Sequence, residues 1–122
     1  MRAFAICIGL ALAWCGPPLA AQEAVSKGTG AVLRALDKLN AKVSDITLQN
    51  GETAGLGLIE ILLGECRYPE DDPSGDAYAF LTIREAGVAR PVYSGWMIAS
   101  SPALNPMDHA RYDVWVMRCT VQ

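Results

Sequence analysis

The sequence has little positive charge, almost no histidine and no familiar catalytic motif. Only three of its 122 residues are lysine, one is histidine, and the formal net charge is -3. A pI near 5.0 argues against a protein that grips nucleic-acid phosphates, because such proteins need clustered cations. A hydrophobic fraction of 52% also excludes a disordered tail, and the length predicts one domain preceded by a short leader.

The first 21 residues have the pattern of a secretory signal peptide. Arg2 is their only charge, the run Ala3–Trp14 is apolar, two prolines follow, and small residues lead to a cleavage site near Ala21. Twelve apolar residues span about 18 Å as a helix, which is too short for a bilayer core of about 30 Å. We therefore predict export to the periplasm and no stable membrane insertion after cleavage; the alternative is an uncleaved anchor.

Two of the four cysteines, Cys66 and Cys119, lie in the mature chain. Two cysteines in an exported domain usually pair, so we predict one structural disulfide. The alternative is a redox or metal pair. It is disfavoured because there is no Cys-x-x-Cys motif and His109 is the only imidazole. We accordingly predict no metal site and no cofactor.

The mature chain divides into a short segment and one domain. Residues 22–30 are small and polar, which predicts a flexible N-terminal segment, and residues 31–122 form the domain. The apolar spacing within Val32–Gln49 fits a helix. It fits equally well two strands, Val32–Lys38 and Lys42–Gln49, with Asn40 in the turn. The pattern alone leaves both alternatives open.

The remainder of the domain favours strands. We predict them at the apolar run Leu56–Leu63, the alternating run Tyr78–Arg84, and Val92–Ala99. Tyr112–Cys119 is apolar on both faces, as in a central, covered strand. The sequence therefore predicts an all-β fold. The expected form is a small single-domain sandwich or barrel of about six or seven mostly antiparallel strands with one disulfide.

Two polar features are candidate sites for chemistry. The acidic loop at residues 70–76 lacks the alternating acids and closing glutamate of a calcium loop, so a solvated turn is expected. His109 could serve as a base with Asp108 or Asp113. No Gly-x-Ser-x-Gly motif accompanies it, and catalytic residues are therefore not assigned.

Aromatic residues on the predicted strands are the candidates for binding. Tyr93, Trp96 and Tyr112, with His109, could form a surface for a protein or a glycan. The alternative is that these aromatic side chains fill the core of a small β domain. Core packing is the expectation for Trp115.

Two stretches of the C-terminal half, Tyr93–Asn105 and His109–Val116, resemble the bacterial domain of unknown function 2155 family. The resemblance extends over about residues 32–119 and includes Cys66–Pro69. It implies an exported protein of alphaproteobacterial type. It also implies the two-strand form of residues 31–49 and the pairing of Cys66 with Cys119. It implies no activity, substrate or cofactor.

These observations predict a periplasmic protein that serves as a non-enzymatic binding or structural module of the cell envelope. Its partner would be an envelope protein or a wall polymer. The predicted loops Tyr68–Asp76 and Ser100–Ala110 are long enough to form the surface that binds it. The alternative is an envelope hydrolase that uses His109 with a nearby aspartate.

Overall fold

The computed structural model describes residues 24–122, together with Ala13 and Gly16. The predicted signal peptide, apart from those two residues, lies outside the described part. All regular structure in residues 24–122 is β, which confirms the all-β prediction. The strands are β1 (Val25–Lys27), β2 (Gly30–Asp37), β3 (Lys42–Gln49), β4 (Thr53–Leu56), β5 (Ile59–Pro69), β6 (Tyr78–Glu85), β7 (Tyr93–Ile98) and β8 (Tyr112–Thr120).

The eight strands form two antiparallel sheets, and they do not close into a barrel. The larger sheet has the order β1-β5-β6-β7, and β4 also pairs with β5. β4 pairs with residues 59–62 and β1 with residues 67–69, so the two short strands follow one another along the long strand β5. The smaller sheet has the order β3-β2-β8. The structure has eight strands where about six or seven were predicted, and the short strands β1 and β4, of three and four residues, account for the difference.

The core lies between the sheets and follows the alternation of strand side chains. In β6 the alternating residues Ala79, Leu81 and Ile83 share one face and are fully buried. Burial of each Leu, Ile or Val side chain contributes roughly 1.5–3 kcal/mol, so these alternating positions fix which face of each strand is inside. The other large side chains that are fully buried are Leu33, Leu48, Ile59, Ile61, Leu63, Cys66, Tyr112, Val114 and Val116.

Residues 30–49 form a hairpin rather than a helix. β2 pairs with β3 from Gly30 opposite Gln49 to Asp37 opposite Lys42. The Asn40 side chain accepts a hydrogen bond from the Lys42 amide at 2.9 Å, which stabilises the turn. The residue with positive φ is Ala41, at +58°, rather than Asn40. The two-strand alternative is therefore the observed one.

The predicted flexible segment at residues 22–30 is, where described, held against both sheets. β1 pairs with β5, the Gly28 amide donates to the Cys66 carbonyl at 2.8 Å, and the Thr29 amide donates to the Thr120 carbonyl at 2.8 Å. These backbone bonds replace the water contacts of a free chain. The small and polar composition of this segment did not predict these hydrogen bonds.

The prediction that the last strand is central is wrong, because β8 lies at an edge of the smaller sheet. Its inward residues Val114 and Val116 are buried, as expected. Trp115 lies on the other face and is partly buried while it packs against the core. The apolar outer face of β8 reflects the packing of Trp115, and no other strand within residues 24–122 covers it.

The predicted disulfide is confirmed and joins the two sheets. Cys66 lies on β5 and Cys119 on β8, with an S–S distance of 2.04 Å and a Cα–Cα distance of 5.6 Å. Both residues are buried, at 0% and 5% exposure. The sheets share no strand pairing, and this bond cross-links them in addition to the chain segments that connect them.

Candidate binding surface

The outer face of the larger sheet carries an exposed tryptophan. β7 turns Tyr93 and Met97 into the core, and the alternation places Trp96 on the opposite face. Trp96 is 37% exposed, and it lies opposite Phe80 of the neighbouring strand β6. The sequence-based prediction of Trp96 as a surface residue therefore agrees with its position.

Trp96 is the centre of an aromatic–cation cluster. The Phe80 ring meets it edge to face, with centroids 5.4 Å apart and an interplanar angle of 69°. The guanidinium carbon of Arg67, from β5, lies 5.0 Å from the centroid of the Trp96 ring. Both contacts are favourable geometries for aromatic rings, and together they hold the indole in one orientation.

A glycine at a bulge in β5 makes room for this cluster. The pairing of β5 with β6 shifts register between Leu63 and Glu65, which leaves Gly64 as the extra residue. A Cβ on Gly64 would lie 3.2 Å from Cδ1 of Phe80, closer than side chains normally approach. The absence of a side chain at Gly64 thus allows Phe80 to approach the strand closely.

Charged groups surround the tryptophan. Glu65 accepts from Arg67 at 2.6 Å and lies 3.3 Å from the Lys27 ammonium. Burial of Glu65 opposes its ionisation, but the hydrogen bonds from Arg67 and Lys27 outweigh that effect and lower its pKa. Within the described part of the chain, the Nε and Nη1 groups of Arg67 have no hydrogen-bond acceptor. They are donors available to a ligand.

A shallow groove runs beside these groups. It has a volume of about 290 Å³ and is lined by Val25, Arg67, Tyr78 and Trp96. An indole face and apolar walls suit a sugar ring or an apolar side chain, and the Arg67 donors suit a carboxylate, a carbonyl or a hydroxyl group. The arrangement can therefore bind a ligand.

The loop after β7 stiffens the strand that carries Trp96. The Asn105 side-chain amide donates to the Trp96 carbonyl at 3.0 Å, and the Tyr93 hydroxyl donates to the Asn105 carbonyl at 2.9 Å. A Cβ on Gly95 would lie 2.9 Å from the Asn105 amide nitrogen, so glycine permits this close approach. Loop and strand thus behave as one unit.

Tyr93 and Tyr112 are not surface residues, and their prediction as binding groups is corrected. They are 9% and 1% exposed because both point between the sheets. Burial raises the pKa of Tyr93. The Tyr112 hydroxyl accepts from the Leu58 amide at 3.1 Å. Their hydroxyl groups form hydrogen bonds inside the fold, as buried polar groups usually do.

The His109 ring forms hydrogen bonds with backbone amides rather than with a catalytic partner. Its Nδ1 accepts from the amides of Arg111 and Tyr112 at 3.0 and 3.1 Å, which assigns the proton of the neutral ring to Nε2. Nε2 lies 3.2 Å from a carboxylate oxygen of Glu85. Among the described residues, neither Asp108 nor Asp113 forms a hydrogen bond with this ring.

The cation beside His109 is also paired within the fold. Arg111 donates to both carboxylate oxygens of Asp37, at 3.2 and 3.0 Å. These hydrogen bonds lower the pKa of Asp37 and raise that of Arg111. The group around His109 therefore ties β2 to the start of β8, and no serine oxygen is hydrogen-bonded to it within residues 24–122.

The acidic loop contains one structural aspartate. Glu70, Asp71 and Asp72 are exposed, whereas Asp76 accepts from the Ser100 hydroxyl at 2.6 Å and from the Ser100 amide at 2.9 Å. Burial opposes ionisation of Asp76, but these hydrogen bonds outweigh it and lower its pKa. The described residues contain no group of three or more metal-ligating side chains placed to hold a metal ion.

Together the fold and the surface define a small β-sandwich with an inter-sheet disulfide and an exposed aromatic–cation face. The chain belongs to the bacterial family described as "Uncharacterized protein conserved in bacteria" (DUF2155), which matches residues 31–119. This confirms the resemblance seen in the sequence.

A relative with a similar sequence is an uncharacterized protein of Rickettsia prowazekii (strain Madrid E). It is 31% identical over 94 residues, which are 75% of this chain and 61% of the relative, so the chain spans less than two thirds of that protein. No solved structure matches. In the part that the structure describes, no helix has the length and apolarity needed to cross a membrane.

Proposed function

We propose that this protein is a non-catalytic binding module of the bacterial cell envelope, and that the surface around Trp96 contacts its partner. The observation that carries the proposal is the exposed indole, fixed between Phe80 and Arg67 on a sheet face. Tryptophan, tyrosine and arginine contribute most of the binding energy in many interfaces. A residue already held in place loses little side-chain entropy on binding.

A periplasmic location is part of the proposal. It is supported by the signal-peptide pattern of residues 1–21 and by the buried disulfide between Cys66 and Cys119, since such bonds persist in oxidising compartments. Osmotic-shock fractionation of cells that express the full chain tests it. The protein is expected in the shock fluid, and recovery with a cytoplasmic marker enzyme would contradict export.

The partner is an envelope protein or a wall polymer. A glycan would stack a sugar ring on Trp96 and accept hydrogen bonds from Arg67, and a protein would bury an apolar side chain in the same groove. Both kinds of partner would bind to the same groove. Co-sedimentation with purified wall sacculi measures the first, and cross-linking in periplasmic extract followed by mass spectrometry measures the second.

The deciding variant is Trp96→Ala. Loss of the indole should weaken binding at least tenfold in whichever of the two assays detects a partner. The thermal unfolding midpoint should remain close to that of the wild type. Leu104→Ala is the matched control, because Leu104 is 71% exposed and does not line the groove. Equal binding by both variants, or no binding in either assay, would overturn the proposal.

The geometry does not favour the hydrolase alternative. Both ring nitrogens of His109 have partners inside the fold, and Glu85 rather than an aspartate faces Nε2. A general base needs access to the proton that it removes. We therefore propose no catalytic role for this residue.

A further inference from the structure

Three strand connections meet at one end of the sandwich, together with the segment 109–111 that leads into β8. The connections are residues 38–41 between β2 and β3, 57–58 between β4 and β5, and 86–92 between β6 and β7. The Ala86 amide donates to the Leu58 carbonyl at 2.8 Å, and the Leu58 amide donates to the Tyr112 hydroxyl at 3.1 Å. The Lys38 amide donates to the Arg111 carbonyl at 2.7 Å. These bonds join both sheets, and we call this region the hairpin end.

Each of the three connections exposes a large aliphatic side chain. The exposed fraction is 76% for Leu39, 61% for Leu58 and 47% for Val88, and we call these three residues the apolar tips. A single exposed aliphatic side chain is ordinary on a protein surface. Three of them on adjoining turns at one end of a domain are typical of an interaction site.

The hairpin end also carries exposed cations. The three connections and the segment 109–111 contain no aspartate or glutamate. Lys38 and Arg90 lie in the connections, and Lys42 is the first residue of β3. All three are exposed, and none of them forms an ion pair within residues 24–122. We call them the end cations.

Three acids border the hairpin end without cancelling the end cations. Asp37, the last residue of β2, accepts hydrogen bonds from Arg111 at 3.2 and 3.0 Å. Glu85, the last residue of β6, lies 3.2 Å from Nε2 of His109. Asp108 is exposed. Because Arg111 balances the first of these acids, the end cations leave an excess of positive charge.

The opposite end of the sandwich is acidic. Its connections, residues 50–52 and 70–77, contain no lysine or arginine. Their acids are Glu52, Glu70, Asp71, Asp72 and Asp76. The whole chain has a formal net charge of only -3, so positive and negative groups are separated along the strand direction. A negatively charged surface would therefore orient the molecule with its hairpin end foremost.

An anionic lipid bilayer matches both properties of the hairpin end. Peripheral membrane proteins insert aliphatic side chains at the headgroup boundary and place lysine or arginine beside anionic headgroups. A protein partner would need a fitted recess for each apolar tip, whereas a fluid bilayer adapts its shape to them. A recess of about 250 Å³ between Lys38, Leu39, Ala110 and Arg111 leaves room for a lipid phosphate beside two cations.

We propose that the hairpin end docks on an anionic lipid bilayer, with the apolar tips in the interfacial layer and the end cations at the headgroups. The contact is peripheral, because side chains on turns reach only the headgroup boundary. It is compatible with the expectation that the mature chain has no stably inserted segment. The site is separate from the Trp96 surface and independent of the function proposed for that surface.

Co-sedimentation with sucrose-loaded vesicles measures this binding. The chain used is residues 22–122, which retains every strand and the disulfide and removes the apolar leader, since the leader would bind vesicles by itself. It should bind vesicles of equal parts phosphatidylglycerol and phosphatidylcholine at least tenfold more tightly than phosphatidylcholine vesicles. About 0.5 M NaCl should weaken that binding at least fivefold. No binding to either vesicle, or equal binding to both, would overturn the proposal.

Charge substitutions test the end cations. Lys42→Gln/Arg90→Gln should weaken binding to phosphatidylglycerol vesicles at least tenfold, because each cation near an anionic surface strengthens binding about fivefold. The matched control is Lys27→Gln/Arg118→Gln, which removes the same charge from exposed positions away from the hairpin end. It should bind within threefold of the wild type. Equal loss in both double variants would contradict the assignment of the site.

Apolar substitutions test the tips. Leu39→Ala/Leu58→Ala should weaken vesicle binding at least tenfold, with the fold verified by circular dichroism. Leu104→Ala is the control, because Leu104 is 71% exposed and lies beside Asn105, which is bonded to the Trp96 carbonyl. Leu104→Ala and Trp96→Ala should both bind as the wild type does. Unchanged binding by the double variant, or a tenfold loss in Trp96→Ala, would overturn the proposal.

An environment-sensitive label identifies the surface that meets the lipid. The variants Leu39→Cys, Val88→Cys and Leu104→Cys are labelled with nitrobenzoxadiazole in turn. Phosphatidylglycerol vesicles should raise the emission at the first two positions and leave the third unchanged, and a rise at the third alone would contradict the proposal. Sedimentation velocity without lipid tests the other occupant. Self-association that Lys42→Gln/Arg90→Gln removes would show that the acidic end of a second copy covers the hairpin end, and would overturn the lipid assignment.

Discussion

Reduction of the Cys66–Cys119 disulfide should lower the stability of the domain by about 4 kcal/mol. The bond closes a loop between residues 53 positions apart. For a loop of this length the chain-entropy relation gives a constraint on the unfolded state of roughly 4 kcal/mol at 25 °C. Native domains have total stabilities of about 5–15 kcal/mol. The reduced domain should therefore stay folded in buffer but unfold at much lower denaturant concentration.

Urea unfolding monitored by tryptophan fluorescence and far-UV circular dichroism measures this effect. The mature protein is compared with and without dithiothreitol, after full reduction in urea and refolding. This comparison retains both sulfur atoms and removes only the cross-link. A Cys66→Ser/Cys119→Ser variant should lose at least as much, because it also places hydroxyl groups at buried positions. A loss below about 1 kcal/mol in the reduced protein would refute the entropy argument.

Three further effects follow from the geometry. The stability of the domain should decline as the pH falls below about 4, because hydrogen bonds from Arg111 lower the pKa of Asp37 in the folded state. The ionised Asp37 stabilises the fold fully above its unfolded-state pKa. This contribution disappears as the pH falls through the folded-state pKa. Thermal melts from pH 7 to pH 2 measure this, and a flat profile would contradict it. Gly57→Ala should cost about 2 kcal/mol or more in urea, because Gly57 has φ of +54° and its new Cβ would collide with the Tyr112 hydroxyl. Gly55→Ala, with open space around it, should cost much less. His109→Ala should destabilise the domain by about 1 kcal/mol and leave binding at Trp96 intact, and abolished binding would show that the ring has a role at that surface.

Much of the fold could be predicted from local patterns. The alternation in Tyr78–Arg84 predicted a strand with two distinct faces, and the two mature cysteines predicted the disulfide. The hairpin at residues 30–49 could not be separated from a helix, because its apolar spacing fits both periods. The position of β8 within its sheet also could not be predicted from the sequence. Apolar residues on both faces occur in a central strand and equally in an edge strand whose outer tryptophan packs on the core.

The proposed binding surface was predicted only in part. Trp96 was identified from its residue type, but Arg67 and Phe80 were not, because their contact with it depends on pairing across β5, β6 and β7. That pairing includes the extra residue Gly64, whose effect on register has no clear local signal. Tyr93 and Tyr112 looked equivalent to Trp96 in sequence. They differ only in which face of their strand they occupy.

The most direct test of the account is photo-cross-linking at position 96 in living cells. Benzoylphenylalanine replaces Trp96 in one strain and Leu104 in another, both in the full-length protein, and covalent products are identified after ultraviolet exposure. The account predicts a discrete envelope protein or wall fragment attached at position 96 and absent at position 104. No product at position 96, or the same products at both positions, would contradict a binding role for this sheet face.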